Sequence, residues 1–127
     1  MANPNIVGVT SIYGKTAAST SLTTSGVEMV ACAANKICKI NSVIVTNVDS
    51  NSSGPTDVSL FISGDGTNLA ASNHYIARNI VVPDSTSLVL ISKDTSIYLL
   101  EGDKLWLMAS VNSDLAGFVS YEEIDDA

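Results

Sequence analysis

The sequence predicts an all-β chain: a single antiparallel β-sandwich, jelly-roll-like, of about eight or nine strands. Three observations predict it. Short apolar runs rich in β-branched and aromatic residues recur from end to end, as in Ile37-Cys38-Lys39-Ile40-Asn41-Ser42-Val43-Ile44-Val45-Thr46-Asn47-Val48. Clusters of Ser, Thr, Asn, Asp and Gly separate these runs. No stretch carries helical periodicity, and no internal repeat of solenoid or propeller length is present.

The elements follow in order. Ile6 to Tyr13 alternates loosely and reads as a first strand, with Gly14-Lys15 as punctuation. Thr16 to Ser25 is rich in Ser and Thr and reads as an exposed edge strand or a long arm. Val27 to Ala33 reads as a strand, and a turn leads to the long run Ile37 to Val48. Strict alternation there puts Cys38, Ile40, Ser42, Ile44, Thr46 and Val48 on one face and Ile37, Val43 and Val45 on the other. Neither face is cleanly polar, which predicts cover on both sides for part of the strand. Asp49 to Pro55 is the clearest loop. Asp57 to Ser63 is a strand with Val58, Leu60 and Ile62 inward, which leaves Phe61 on the outer face in need of a partner.

A second loop, Gly64 to Asn68, precedes a strand from Asn73 to Val82 that ends at Pro83-Asp84. Leu88 to Ile91, Ile97 to Leu100, Lys104 to Ser110 and Leu115 to Ile124 complete the set. Glu101-Gly102-Asp103 reads as a hairpin turn in which Gly102 supplies positive φ and Asp103 caps. Trp106 and Tyr98 are expected in the core or at a subunit contact. Residues 1–127 form one domain in this reading, with 1–5 and 16–25 as candidate arms. A chain of this length buries roughly two thirds of its unfolded surface, enough for a core without staples.

Composition narrows function. Charged residues are 15% of the chain against a usual figure of about 25%, and small neutral polar residues replace them. Such a surface is cheap to desolvate and suits a protein packed against copies or partners. A formal net charge of −7 argues against nucleic acid, whose phosphates need Lys and Arg, and against an anionic membrane. Much of the charge lies in Glu122, Glu123, Asp125 and Asp126. The opening Met1-Ala2-Asn3-Pro4-Asn5 has no signal-peptide character, and no run approaches the roughly 20 apolar residues of a membrane span. Synthesis in a cytoplasm is the expectation.

Little is left for catalysis. His74 is the single histidine; Asp49, Asp57, Asp65 and Asp84 are its possible carboxylate partners, and no Gly-x-Ser-x-Gly elbow is present. Cys32 and Cys38 read as buried thiols that a hairpin would bring face to face, with no zinc ligand set beside them. Asp49-Ser50-Asn51 begins like a calcium loop but lacks its Gly and distal Glu. Sugar platforms use several exposed aromatics, and an aromatic content of 6% weighs against one. The expectation is no enzyme, no cofactor and no metal.

The order of several segments resembles small virion structural proteins of tailed phages, particularly cyanophages. The opening Met1-Ala2-Asn3-Pro4-Asn5-Ile6-Val7 and Ile12-Tyr13-Gly14-Lys15-Thr16 carry the resemblance, as do Lys39-Ile40-Asn41-Ser42-Val43 and Asn47-Val48-Asp49. It continues through Pro83-Asp84-Ser85-Thr86-Ser87-Leu88-Val89-Leu90-Ile91-Ser92-Lys93-Asp94, Ile97-Tyr98-Leu99-Leu100-Glu101-Gly102-Asp103 and Ser120-Tyr121-Glu122-Glu123-Ile124. The chain departs from it in a longer loop at Gly64 to Asn68 and in the added Asp125-Asp126. The resemblance implies a virion component made in the host cytoplasm. Capsid decoration (cement) comes first: a homo-oligomer, with a trimer favoured, clamping the major capsid protein. A neck or tail ring component is the alternative, and a host-glycan adhesion module the second. The expected contact residues are Met1, Ala2, Asn3, Pro4, Asn5, Thr16, Ser19, Thr20, Phe61 and Tyr121.

Overall fold

A computed structural model describes residues 11–49 and 54–125. They contain nine strands: β1 (Ser11–Ser19), β2 (Val27–Ala31), β3 (Lys36–Asn47), β4 (Thr56–Ser63), β5 (Asn73–Val82), β6 (Ser87–Ile91), β7 (Ile97–Leu99), β8 (Lys104–Ala109) and β9 (Leu115–Asp125). The helical content of these residues is one 3-10 turn, Lys93–Thr95. Two antiparallel sheets result, one ordered β1-β9-β3-β6 with β7 also on β3, the other β2-β8-β4-β5. This is the strand order of a jelly roll. Strands β6 and β7 share one edge: β6 pairs with Val43 to Thr46 and β7 with Cys38 to Ile40. The 3-10 turn separates them, held by Thr95 N donating to Ser92 O at 3.0 Å and Ser92 N donating to Thr95 Oγ1 at 3.1 Å.

The core lies between the inner faces. Val58 and Leu60 of β4, Leu105 and Leu107 of β8, and Val30 of β2 meet Cys38, Ile40, Val43 and Val45 of β3 and Leu115 and Val119 of β9. Burying each branched side chain contributes about 2 kcal/mol. Gly117 of β9 makes room for the closest approach, since a Cβ there would lie 2.7 Å from Leu107 Cδ1 and 3.3 Å from Leu22 Cδ2.

Two expectations need correction, and a third is resolved between its alternatives. The first strand does not break at Gly14-Lys15; β1 runs through both, in unbroken register with β9 from Ser11↔Asp125 to Ser19↔Gly117. A glycine in an exposed edge strand weakens pairing without ending it. The segment 16–25 takes the first of its two readings, edge strand rather than arm. Thr16 to Ser19 is edge strand, and Leu22 beyond it is fully buried, with its N–H on Leu115 O at 2.8 Å and its carbonyl accepting from Ser113 N at 3.1 Å. The faces of β3 also differ from strict alternation. A bulge between Ile40 and Ser42 shifts the register by one residue, so Cys38, Ile40, Val43 and Val45 all point inward. The mixed faces of that run reflect the bulge.

The inward set of β4 is as expected, and Glu101-Gly102-Asp103 forms the β7–β8 turn. Gly102 has φ +85°, Asp103 N donates to Leu100 O at 3.0 Å, and Asp103 Oδ2 accepts from Leu100 N at 3.2 Å. Among the described residues no helix is long and apolar enough to cross a membrane.

Candidate functional site

The outer face of the second sheet gathers three aromatic side chains. In β4, Phe61 alternates with inward Leu60 and Ile62 and so points outward. Its cross-strand neighbours are Trp106 on β8 and Tyr75 on β5. The Phe61 and Trp106 rings are parallel to within 4°, with centroids 6.1 Å apart, and Tyr75 tilts against Phe61 at 5.3 Å. Arg78 lies over the Tyr75 ring, its guanidinium carbon 4.9 Å from the centroid. Trp106 and Phe61 floor a cleft of about 170 Å³ rimmed by Ser25, Ser63 and Asn73. Gly26, at φ +98°, lets the loop before β2 descend on it; a Cβ there would lie 3.4 Å from Trp106 Cε3. The indole Nε1–H of Trp106 is shielded from solvent and has no acceptor among the described residues. The Lys104–Glu28 ion pair, 3.4 Å, flanks Trp106 on β8 and β2.

Two further surfaces are apolar. Strand β5 ends the second sheet, pairs only with β4 among the described residues, and exposes Ile76, Ile80 and Val81, the last by 54%. On the outer face of the first sheet the register aligns Ala18, Phe118, Ile44 and Val89 in one row across β1, β9, β3 and β6. Phe118 and Val89 are exposed by 45% and 56%.

The expected contact residues fall in different places. Met1 to Asn5 lie outside the described residues. Thr16 and Thr20 are exposed, and Ser19 is half-buried, at the β1 edge. Phe61 is only 5% exposed, covered by its aromatic neighbours, and Tyr121 leans on the core. Neither presents a large surface of its own. Trp106 and Tyr98 are outside the core; Trp106 is half-buried on the sheet face and Tyr98 is exposed. The outward aim of Phe61 was legible in the alternation of β4. Its convergence with Trp106 and Tyr75 was not, because nothing in the sequence says that β4 lies between β8 and β5.

The titratable groups are dispersed. His74 is exposed, with Nε2 3.3 Å from Ala70 O. Asp103 is buried, which pushes its carboxyl pKa up; the charge of Asp65 adds to the rise and the Leu100 N–H opposes it. Its Oδ1 has no hydrogen-bond partner among the described residues. Cys32 and Cys38 are both buried free thiols, and Cys32 Sγ donates to Lys36 O at 3.1 Å. A hydrogen bond with Cys38 and burial hold Cys32 protonated by pushing its pKa up. Glu123 takes both Lys15 Nζ and Lys36 Nζ at 3.1 Å. Among the described residues no group of three or more His, Cys, Asp or Glu could hold a metal ion.

No family model matches the chain, and neither a curated protein nor a solved structure matches it.

Proposed function

We propose that the chain is a non-enzymatic structural protein of a tailed-phage particle, and that it serves as a capsid decoration protein. The observation that carries the reading is the outer edge of β5. Ten residues of strand, Asn73–Val82, have one edge with no strand partner among the described residues, beside exposed Ile76, Ile80 and Val81. A long apolar edge is a template for pairing with another chain, and a protein that leaves one uncovered has a use for it. Register shifts at Val58/Leu60 and Leu60/Phe61 twist β5, which limits unlimited edge-to-edge stacking while leaving a short match available.

The apolar row Ala18, Phe118, Ile44 and Val89 supplies a second contact surface on the outer face of the other sheet. Two surfaces on one small domain allow it to bridge neighbours. In the proposed assembly, copies join through one surface and seat on the major capsid protein through the other. Each contact is modest, and multivalency supplies the grip. A clamp of this kind resists the outward load of packaged DNA by opposing separation of adjacent subunits. The segment resemblance to small virion proteins and the sparsely charged surface favour the same reading.

Cryo-electron microscopy of the encoding particle tests it. Density for this jelly roll on the outer shell, at threefold positions or between capsomers, is the expected result. Density in a ring at the neck or along the tail overturns decoration in favour of a connector. Absence of the chain from purified particles overturns the virion assignment altogether.

A further inference from the structure

The cleft over Trp106 has a chemistry that edge pairing does not use. Its floor is two parallel aromatic rings and its rim is two hydroxyls and one amide, from Ser25, Ser63 and Asn73. Ser63 and Asn73 are cross-strand partners, as are Phe61 and Tyr75, so the rim and the aromatic row stand side by side on one sheet face. Ser25 comes from the opposite side, in the loop that Gly26 brings down on Trp106. No charged side chain lines the cleft, and the nearest charges on the β2–β8 side, Lys104 and Glu28, neutralise one another.

Those features select a ligand class. A charged group entering the cleft would lose hydration with no counter-charge to meet it. A purely apolar one would leave the hydroxyls and amide of the rim without partners. A ring with an apolar C–H face and hydroxyls at its perimeter satisfies both demands. Its C–H groups rest against the accessible part of the half-buried Trp106 ring, and its hydroxyls exchange hydrogen bonds with the Ser and Asn side chains. Size agrees: a cavity of about 150 Å³ accommodates benzene, so a cleft of about 170 Å³ accepts one six-membered ring. We propose that this cleft binds a single neutral pyranose unit of a glycan, resting on Trp106 beside the edge of Phe61 and oriented by Ser25, Ser63 and Asn73. The site stands on the cleft alone and holds whether the chain sits on a capsid, a neck or a tail.

Trp106 is the only tryptophan, so its fluorescence reports this cleft and nothing else. The full chain is titrated with the methyl pyranosides of glucose, galactose, mannose and N-acetylglucosamine, with sorbitol as an acyclic control. Saturation-transfer NMR on the same samples covers binding that leaves emission unchanged. At least one pyranoside is expected to give a saturable response with a dissociation constant on the order of 1–10 mM, as befits a ligand of so few atoms. Sorbitol gives none. Asn73 is exposed and its side chain is free to change without disturbing the core, so Asn73→Ala retains the far-UV circular dichroism and raises the dissociation constant about tenfold. Tyr75→Ala, at the end of the aromatic row, raises it a few-fold. Absence of both a fluorescence and an NMR response to all four pyranosides overturns the proposal. So does a response that Asn73→Ala and Ser63→Ala leave unchanged.

Discussion

Glu123 shows how one side chain can carry a pH dependence. It faces inward on β9 near the rim of the sandwich, where burial alone would push its carboxyl pKa up. Lys15 of β1 and Lys36 of β3 lie on either side, each 3.1 Å from Oε1, and together they outweigh burial and hold the pKa below the usual glutamate value. A carboxyl whose folded pKa is depressed contributes stability that is present above its unfolded pKa of about 4.3 and is lost as pH falls through the folded value. Glu123→Gln is therefore expected to lower stability at pH 7 by about 1 kcal/mol, a figure already reduced for the solvent that reaches both lysines. The loss relative to the parent should shrink as pH falls through the folded pKa and vanish below it. Urea denaturation of the two proteins across that range checks it. A penalty that persists at low pH would mean that shape, not charge, makes the contact. Asp103 has the opposite sign. Its folded pKa is raised, so its carboxylate weighs against the fold as pH rises through that value, and Oδ1 is left without a partner among the described residues.

At the scale of the strand, the bulges decide what the alternation of the sequence could and could not reveal. β4, with Val58, Leu60 and Ile62 inward, was legible because its register with β8 is unbroken over those residues, and the extra residues of its pairing with β5 lie on β5. β3 was not, because the extra residue between Ile40 and Ser42 shifts the register midway, and a one-residue shift moves every later side chain to the other face. The strand through Gly14 was missed for a related reason: its pairing with β9 comes from 100 residues or so away in the chain, and local propensity does not register it. The bulge of β5 has its own support. Asn79 adopts φ +52°, and its N–H donates to Ser59 Oγ at 3.0 Å, a hydroxyl only 2% exposed in the middle of β4. A buried serine among apolar neighbours is thus the acceptor that the bulged strand requires. Ser59→Ala leaves that N–H without its acceptor and is expected to cost about 1–3 kcal/mol. Asn79→Gly keeps the backbone hydrogen bond and removes the left-handed strain, while it loses the long 3.4 Å bond from Ser59 Oγ to Asn79 Oδ1, so its net effect on stability should stay within about 1 kcal/mol. Thermal melts of the two variants distinguish them. Equal losses would show that the turn geometry, and not the Ser59 hydroxyl, holds the bulge.

At the scale of the whole molecule, an apolar edge is set against a large net charge. Ile76, Ile80 and Val81 favour association through β5, whereas a formal charge of −7 on every copy opposes it. The balance depends on salt. Raising ionic strength from about 20 mM to about 500 mM shrinks the Debye length from about 20 Å to about 4 Å, which removes most of the repulsion between copies and leaves apolar burial intact. Self-association should therefore strengthen with salt, the reverse of an assembly held by ion pairs. Sedimentation velocity at the two salt concentrations measures this directly. Ile76→Lys with Val81→Lys separates the terms. Both residues are exposed, so the domain keeps its fold. The substitutions lower the net charge, which alone would promote association, yet they place charged groups on the apolar edge. If β5 is the contact, the double variant stays monomeric at both salt concentrations despite its smaller charge. If the variant associates more readily than the parent, charge governs the equilibrium and the contact lies elsewhere, with the row formed by Phe118, Ile44 and Val89 next to be changed.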